Sequence, residues 1–179
     1  MSGKEIDNYI ECSHKTSSRE YMNEKISIAV TLAAKSGLRV SEIGKVRNKD
    51  RFNTDDRGLM LRVPEGKGDK YRETVLPLDM ARADFDKYTR GEYRQNIWRW
   101  VRRVNKEYHQ RYDDADVLEV TCHDLRRGFI TRMIESDANP QWVMSLSGHK
   151  SREVFYNAYV HVGSVEFDAE QRSQIDWIN

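Results

Sequence analysis

Between Thr121 and Val162 the chain reads TCHDLRRGFITRMIESDANPQWVMSLSGHKSREVFYNAYVHV. The segment gathers His123, His149 and His161, the adjacent pair Arg126 and Arg127, and two tyrosines three apart, Tyr156 and Tyr159. These residue types suit one kind of chemistry, the transfer of a phosphodiester. Planar guanidiniums bind non-bridging phosphoryl oxygens in bidentate fashion, and fixed donors aimed at developing charge usually supply the largest catalytic effect. A tyrosine phenol, with an ordinary pKa of about 10, attacks phosphorus only when cations stabilise the phenolate or a base takes its proton. Arg126 and His149 fit the first role and His123 the proton-handling one. Taken singly, either histidine reads as a core imidazole bonded to a carbonyl.

Two further cations come from upstream. Arg39 lies in the junction between a helix stopped at Gly37 and a short helix for which Ser41 is the expected N-cap; alone, such an arginine reads as a clamp on backbone carbonyls. Leu59, Leu61 and Val63 alternate with Met60 and Arg62, then Glu65 to Lys70 forms a turn, and Arg72 to Leu76 resumes an extended run that stops at Pro77. Lys67 and Lys70 sit at the tip of that hairpin. A lysine-decorated turn guards a sheet edge in many proteins; here Lys67 could also protonate a leaving oxygen.

The elements that position these groups are mostly helical. Ser2 and Glu5 form a capping-box pattern ahead of Ile6, Tyr9 and Ile10; Ile26 to Ala33 carries the apolar face of a longer helix. Asp79 to Arg90 reads as a helix, and Arg94 to His109 as a clearer one. In the latter Ile97, Val101, Val104 and Tyr108 line one face, with Arg99, Arg102, Arg103 and Lys106 opposite. Tyr93 to Lys106 holds five basic residues and no acidic one, a pattern suited to tracking phosphates as well as to solvation. Trp98 and Trp100 read as core, and Arg111 to Asp116 as a loop. His123 and Arg126 share one face at a helix start, Asn139-Pro140 restarts a helix ending near Gly148, and Ser151 caps the next.

At 179 residues, 38% hydrophobic and 33% charged, the chain suits one soluble domain, 1–179, with a core to residue 162 and a tail from 163. A formal charge of +1 gives no global nucleic-acid signature. Cys12 and Cys122 lack metal-type spacing and form no disulfide framework, so a reducing cytoplasm is the default. The sequence has no GxxxxGK[ST] loop, HExxH or cysteine–histidine finger, and no metal or other cofactor is expected.

The order Gly37-Leu-Arg39-Val-Ser-Glu42, Gly66-Lys67-Gly-Asp-Lys70, His123-Asp-Leu-Arg126-Arg127, Gly148-His149 and Tyr159-Val-His161-Val162 resembles the catalytic domain of tyrosine recombinases, the phage-integrase and Xer-type family. The resemblance implies a predominantly α-helical α+β fold with a small antiparallel hairpin sheet. It casts Arg39, Lys67, His123, Arg126 and His149 as catalytic, and Glu42 as the acid supporting Arg39. Tyr159 becomes the nucleophile, with Tyr156 as the alternative, because Tyr159 follows His149 by ten residues where nine is usual. The extra residue is expected in the turn at Lys150 to Arg152. Lys70, Arg99, Arg102, Arg103, Lys106 and Arg127 are the expected DNA contacts. The partners implied are double-stranded DNA and further copies of the chain in a synaptic tetramer, the tail packing on a neighbour, with no membrane. The family's usual N-terminal DNA-binding domain is not in this sequence, which reads as a fragment. The alternatives are a type IB topoisomerase-like relaxing enzyme and a DNA-binding module that has lost catalysis.

Overall fold

The computed structural model describes residues 3–56, 58–64, 71–112 and 119–160. Helix α1 (Gly3–Ser13), α2 (Glu20–Ser36) and the long α5 (Arg94–Tyr112) pack with α6 (Cys122–Glu135) around one apolar core. Ile26, Leu32, Ala33 and Ala34 of α2 are fully buried, so α2 is central and touches the other three. Each large aliphatic side chain withdrawn from water there contributes about 1.5–3 kcal/mol. A second cluster, built on Met60, Phe129, Ile130, Val143, Leu146 and Phe155, sits under the site. Among the described residues no helix is long and apolar enough to cross a membrane.

Against the helices lies an antiparallel sheet in the order β1 (Arg51–Thr54), β2 (Gly58–Pro64), β3 (Tyr71–Val75). The expected hairpin is β2–β3, with Leu61 opposite Thr74 and Val63 opposite Arg72; β1 adds a third strand. Leu61, Val63, Arg72 and Thr74 share the buried face, while Arg62 stays outside over the Phe52 and Tyr71 rings.

Four local expectations are corrected. Asp79 to Arg90 is not one helix but a 3₁₀ turn (Leu78–Met80) followed by the short α4 (Phe85–Tyr88). The Arg51 guanidinium takes the carbonyls of Met80, Ala81 and Ala83, and Asp84 caps Lys87 N–H, so tertiary partners replace the helical ones. The short helix α3 (Val40–Ile43) is capped by Arg39, not Ser41, because the Glu42 carboxylate reaches back to the Arg39 N–H at 2.7 Å. Arg111 belongs to α5, where it pairs with Glu107 and Glu11. Trp100 is core, but Trp98 is 50% exposed, with Arg102 stacked over its indole.

Candidate active site

The site forms where three chain reversals meet. Gly37 ends α2 in the left-handed region, at φ 65°, and hands the chain to Arg39. Helix α6 starts at Thr121, whose hydroxyl accepts from Asp124 N–H while Asp124 returns the bond to Thr121 N–H. That cap sets His123 and Arg126 one turn apart. His123 faces solvent, whereas Arg126 is 4% exposed. Helix α7 (Pro140–Ser147) begins at Asn139 and stops at Gly148, φ 67°, placing His149 directly after the reversal.

The last carbonyls of α7 show what organises the site. Helix C-termini leave four carbonyls without intrahelical partners. Met144 and Ser145 are served by the N–H groups of Gly148 and His149. The next three carbonyls each receive one guanidinium from a different element: Leu146 from Arg72, Ser147 from Arg126 at 2.5 Å, and Gly148 from Arg39 at 2.7 Å. Arg126 also donates to Gly37 O at 2.5 Å. Glu42 lies behind, one oxygen accepting from Arg39 Nη1 at 2.8 Å and the other from Arg72 Nη2 at 2.8 Å. The negative end of the α7 dipole favours this cationic arrangement.

Arg39, Ser41, His123, Arg126 and His149 line a single cleft of about 300 Å³. Its electrostatics are cationic. Burial, then the neighbouring Arg39 and Arg72, lowers the Arg126 pKa to about 10, leaving it protonated at neutral pH. Burial followed by the three guanidiniums lowers His149 to about 4, so its imidazole is neutral. Burial would raise the Glu42 carboxyl, but Arg72 and the bonds from Arg39 outweigh it and hold it below the usual range. With His149 neutral, three arginines against one carboxylate leave the cluster with a net charge of about +2 (3 − 1).

Helix α8 (Arg152–Phe155) carries the tyrosines towards this cleft. Ser151 caps it through Val154 N–H. The chain then widens into a π-helical turn, Tyr156–Val160. A π turn accommodates one more residue than an α turn. This one contains Tyr159 itself. The Tyr159 ring stands edge-on to His149, centroids 5.8 Å apart, and packs against Phe155. Tyr156 packs on Phe155 and beneath Arg152.

Lys67, Lys70, His161 and the 163–179 tail lie outside the described residues. Arg99, Arg102, Arg103, Lys106 and Arg127 are exposed, the first four on α5; Arg102 also approaches Glu119 at 4.0 Å. The residue that sequence reasoning passed over is Arg72. Its signal was phase: it alternates with Thr74 on the inward side of β3, where a charge needs partners.

Known proteins place the fold in a class. The fold is that of the tyrosine recombinase catalytic domain: the crystal structure of XerA recombinase superposes with a TM-score of 0.68 at 19% identity, over 98% of this chain and 63% of that one. XerH site-specific recombinase in a post-cleavage complex with palindromic difH substrate gives 0.70 at 15%, over 100% and 53%. Residues 1–165 match the phage integrase family, and the chain belongs to it. Tyrosine recombinase XerA of Thermococcus kodakarensis is 30% identical over 143 residues, 69% of this chain and 46% of that protein. A tyrosine recombinase of Thermosipho africanus is 27% identical over 158 residues, 80% of this chain and 52% of its own length. The chain thus spans about half the length of these relatives.

Proposed function

We propose that this chain is the catalytic unit of a site-specific DNA recombinase that cuts and rejoins one strand at a time through a 3'-phosphotyrosine. The observation that carries the reading is the convergence of Arg39, Arg126 and His149 on one cationic cleft, with the Tyr159 ring against His149. Arg39 has 40% of its side chain exposed while anchored to Glu42 and Gly148 O. It and Arg126 stabilise the non-bridging oxygens, and His149, neutral, donates a hydrogen bond to one of them. Ser147 Oγ lies 2.8 Å from His149 Nδ1 and holds the ring.

In the step itself Tyr159 Oη bonds to phosphorus and the bond from phosphorus to the 5'-oxygen breaks. The Tyr159 proton passes to His123 or water, and Lys67 protonates the departing 5'-oxygen. The phosphotyrosine diester retains the energy of the bond broken, so reversal by a second 5'-hydroxyl needs no ATP or metal. Glu42 positions Arg39. Lys70, Arg99, Arg102, Arg103, Lys106 and Arg127 track the duplex backbone, and four copies assemble on paired sites in the cytoplasm.

Similar structures favour this over relaxation: XerH and the Tn1549 transposon integrase were captured with substrate or transposon DNA. Incubating the protein with two labelled duplexes bearing its site distinguishes the readings. Strands that change partners support recombination; a changed linking number without exchanged strands would assign a relaxing enzyme. DNA binding without any covalent adduct would assign an inactive module.

A further inference from the structure

We infer that Arg72 is a positioning residue of this site, acting through Glu42 and the Leu146 carbonyl to set where Arg39 and His149 stand; the inference rests on the recombinase reading above. Arg72 is buried and, unlike Arg39, Arg126 and His149, does not line the cleft, yet its guanidinium bridges two distant parts of the site. Nη2 donates to Glu42 Oε2 and Nη1 to Leu146 O. Glu42 in turn holds both the backbone N–H and the guanidinium of Arg39. Arg39 then donates to Gly148 O, two residues beyond Leu146. The ring closes: Arg72, Glu42, Arg39, Gly148, Leu146 and back to Arg72. His149 is the next residue along the chain.

Two physical facts make this arrangement more than packing. A buried guanidinium without partners is strongly destabilising, and Arg72 meets that cost by splitting its fork between a carboxylate and a helix terminus. Its Nε nonetheless finds no partner, so satisfaction of Arg72 itself is incomplete while Glu42 and Leu146 are served. A lysine in its place keeps the charge but, as a single ammonium head, cannot hold the same pair of acceptors in that fixed geometry. Charge and fork are therefore separable by substitution.

The test uses Arg72→Lys, Arg72→Met and Glu42→Gln in the whole chain. Three quantities are measured: single-turnover cleavage of a nicked suicide duplex, DNA affinity, and the imidazole nitrogen shifts of His149. Both Arg72 variants are expected to keep wild-type DNA affinity and to cleave about 100-fold more slowly, the cost of small misplacement. The His149 Nδ1 resonance is expected to move as its bond to Ser147 loosens. The double variant Arg72→Met with Glu42→Gln is expected to be no slower than the worse single one, because the two residues act in series.

Wild-type cleavage by Arg72→Met, or by Arg72→Lys, overturns the inference. So does an affinity loss that accounts for the whole rate loss, which would make Arg72 a DNA contact. Should Arg72→Met fail to fold, the near-isosteric Glu42→Gln decides: unchanged rate and unchanged Nδ1 shift reject the series. If the wild-type chain cleaves no DNA, the recombinase reading falls, while the His149 resonances still judge the positioning role.

Discussion

Arg126 donates to the carbonyl of Gly37 at 2.5 Å, joining residues 89 apart in sequence and fixing the start of α6 against the end of α2. The carbonyl is presented by a backbone in the left-handed region, and a Cβ at Gly37 would stand 2.5 Å from Phe129 Cδ1. Gly37→Ala therefore adds both backbone strain and a clash with a core ring. It is expected to lower stability by about 2–3 kcal/mol in urea unfolding; unchanged stability would show that the junction yields freely.

His149 gives the protein an acid-sensitive element. Its folded pKa of about 4 lies below the ordinary 6.5, so between these values the unfolded chain binds the extra proton and stability falls as pH drops. The full difference corresponds to about 3 kcal/mol, and partial exposure of the ring reduces it to about 1–2 kcal/mol. Glu42, held below the usual carboxylate range, adds stability above its unfolded pKa that is lost on further acidification. Between pH 7 and 4.5 the wild-type chain should lose about 1–2 kcal/mol more than His149→Gln in denaturant unfolding; equal losses would place the acid sensitivity elsewhere.

The π-helical turn at Tyr156–Val160 carries its own expectation. Deleting Ala158, which is exposed, should tighten the turn towards α geometry and leave the tyrosine beside His149. Cleavage within roughly tenfold of wild type is expected, a change of about 1.4 kcal/mol in barrier. A loss beyond 1,000-fold would mean that the π turn itself orients the phenol.

On α5, Arg103 and Lys106 should each remove about one unit from the slope of log affinity against log salt when changed to alanine. Arg102 is drawn towards Trp98 and Glu119, so its removal should matter less. Slopes that ignore Arg103 and Lys106 would assign the face to solvation alone.

Much of this was legible in the chain. The order of the motifs carries the family, and the stops at Gly37 and Gly148 follow from turn chemistry. The restart at Asn139-Pro140 likewise explains where His149 falls, and Ser151 caps the helix that follows it. Arg39 clamps a carbonyl, as such an arginine taken alone is expected to, and it also lines the cleft. What stayed hidden was tertiary: no local rule says that three guanidiniums will divide the carbonyls of Leu146, Ser147 and Gly148 between them. Arg51 breaking the expected 79–90 helix is the same effect, a distant donor outcompeting local bonds. Trp98 shows the limit of periodicity, which set its place beside the apolar face but not its exposure.

Covalent capture decides the central assignment. The wild-type chain, Tyr156→Phe and Tyr159→Phe are each incubated with nicked suicide duplexes in the presence of a metal chelator, and adducts are resolved on a denaturing gel and mapped by mass spectrometry. The expected result is a DNA–protein adduct at Tyr159 in the wild-type chain and in Tyr156→Phe, and none in Tyr159→Phe. An adduct that survives Tyr159→Phe but vanishes in Tyr156→Phe, or one that forms only with a divalent metal, would contradict it.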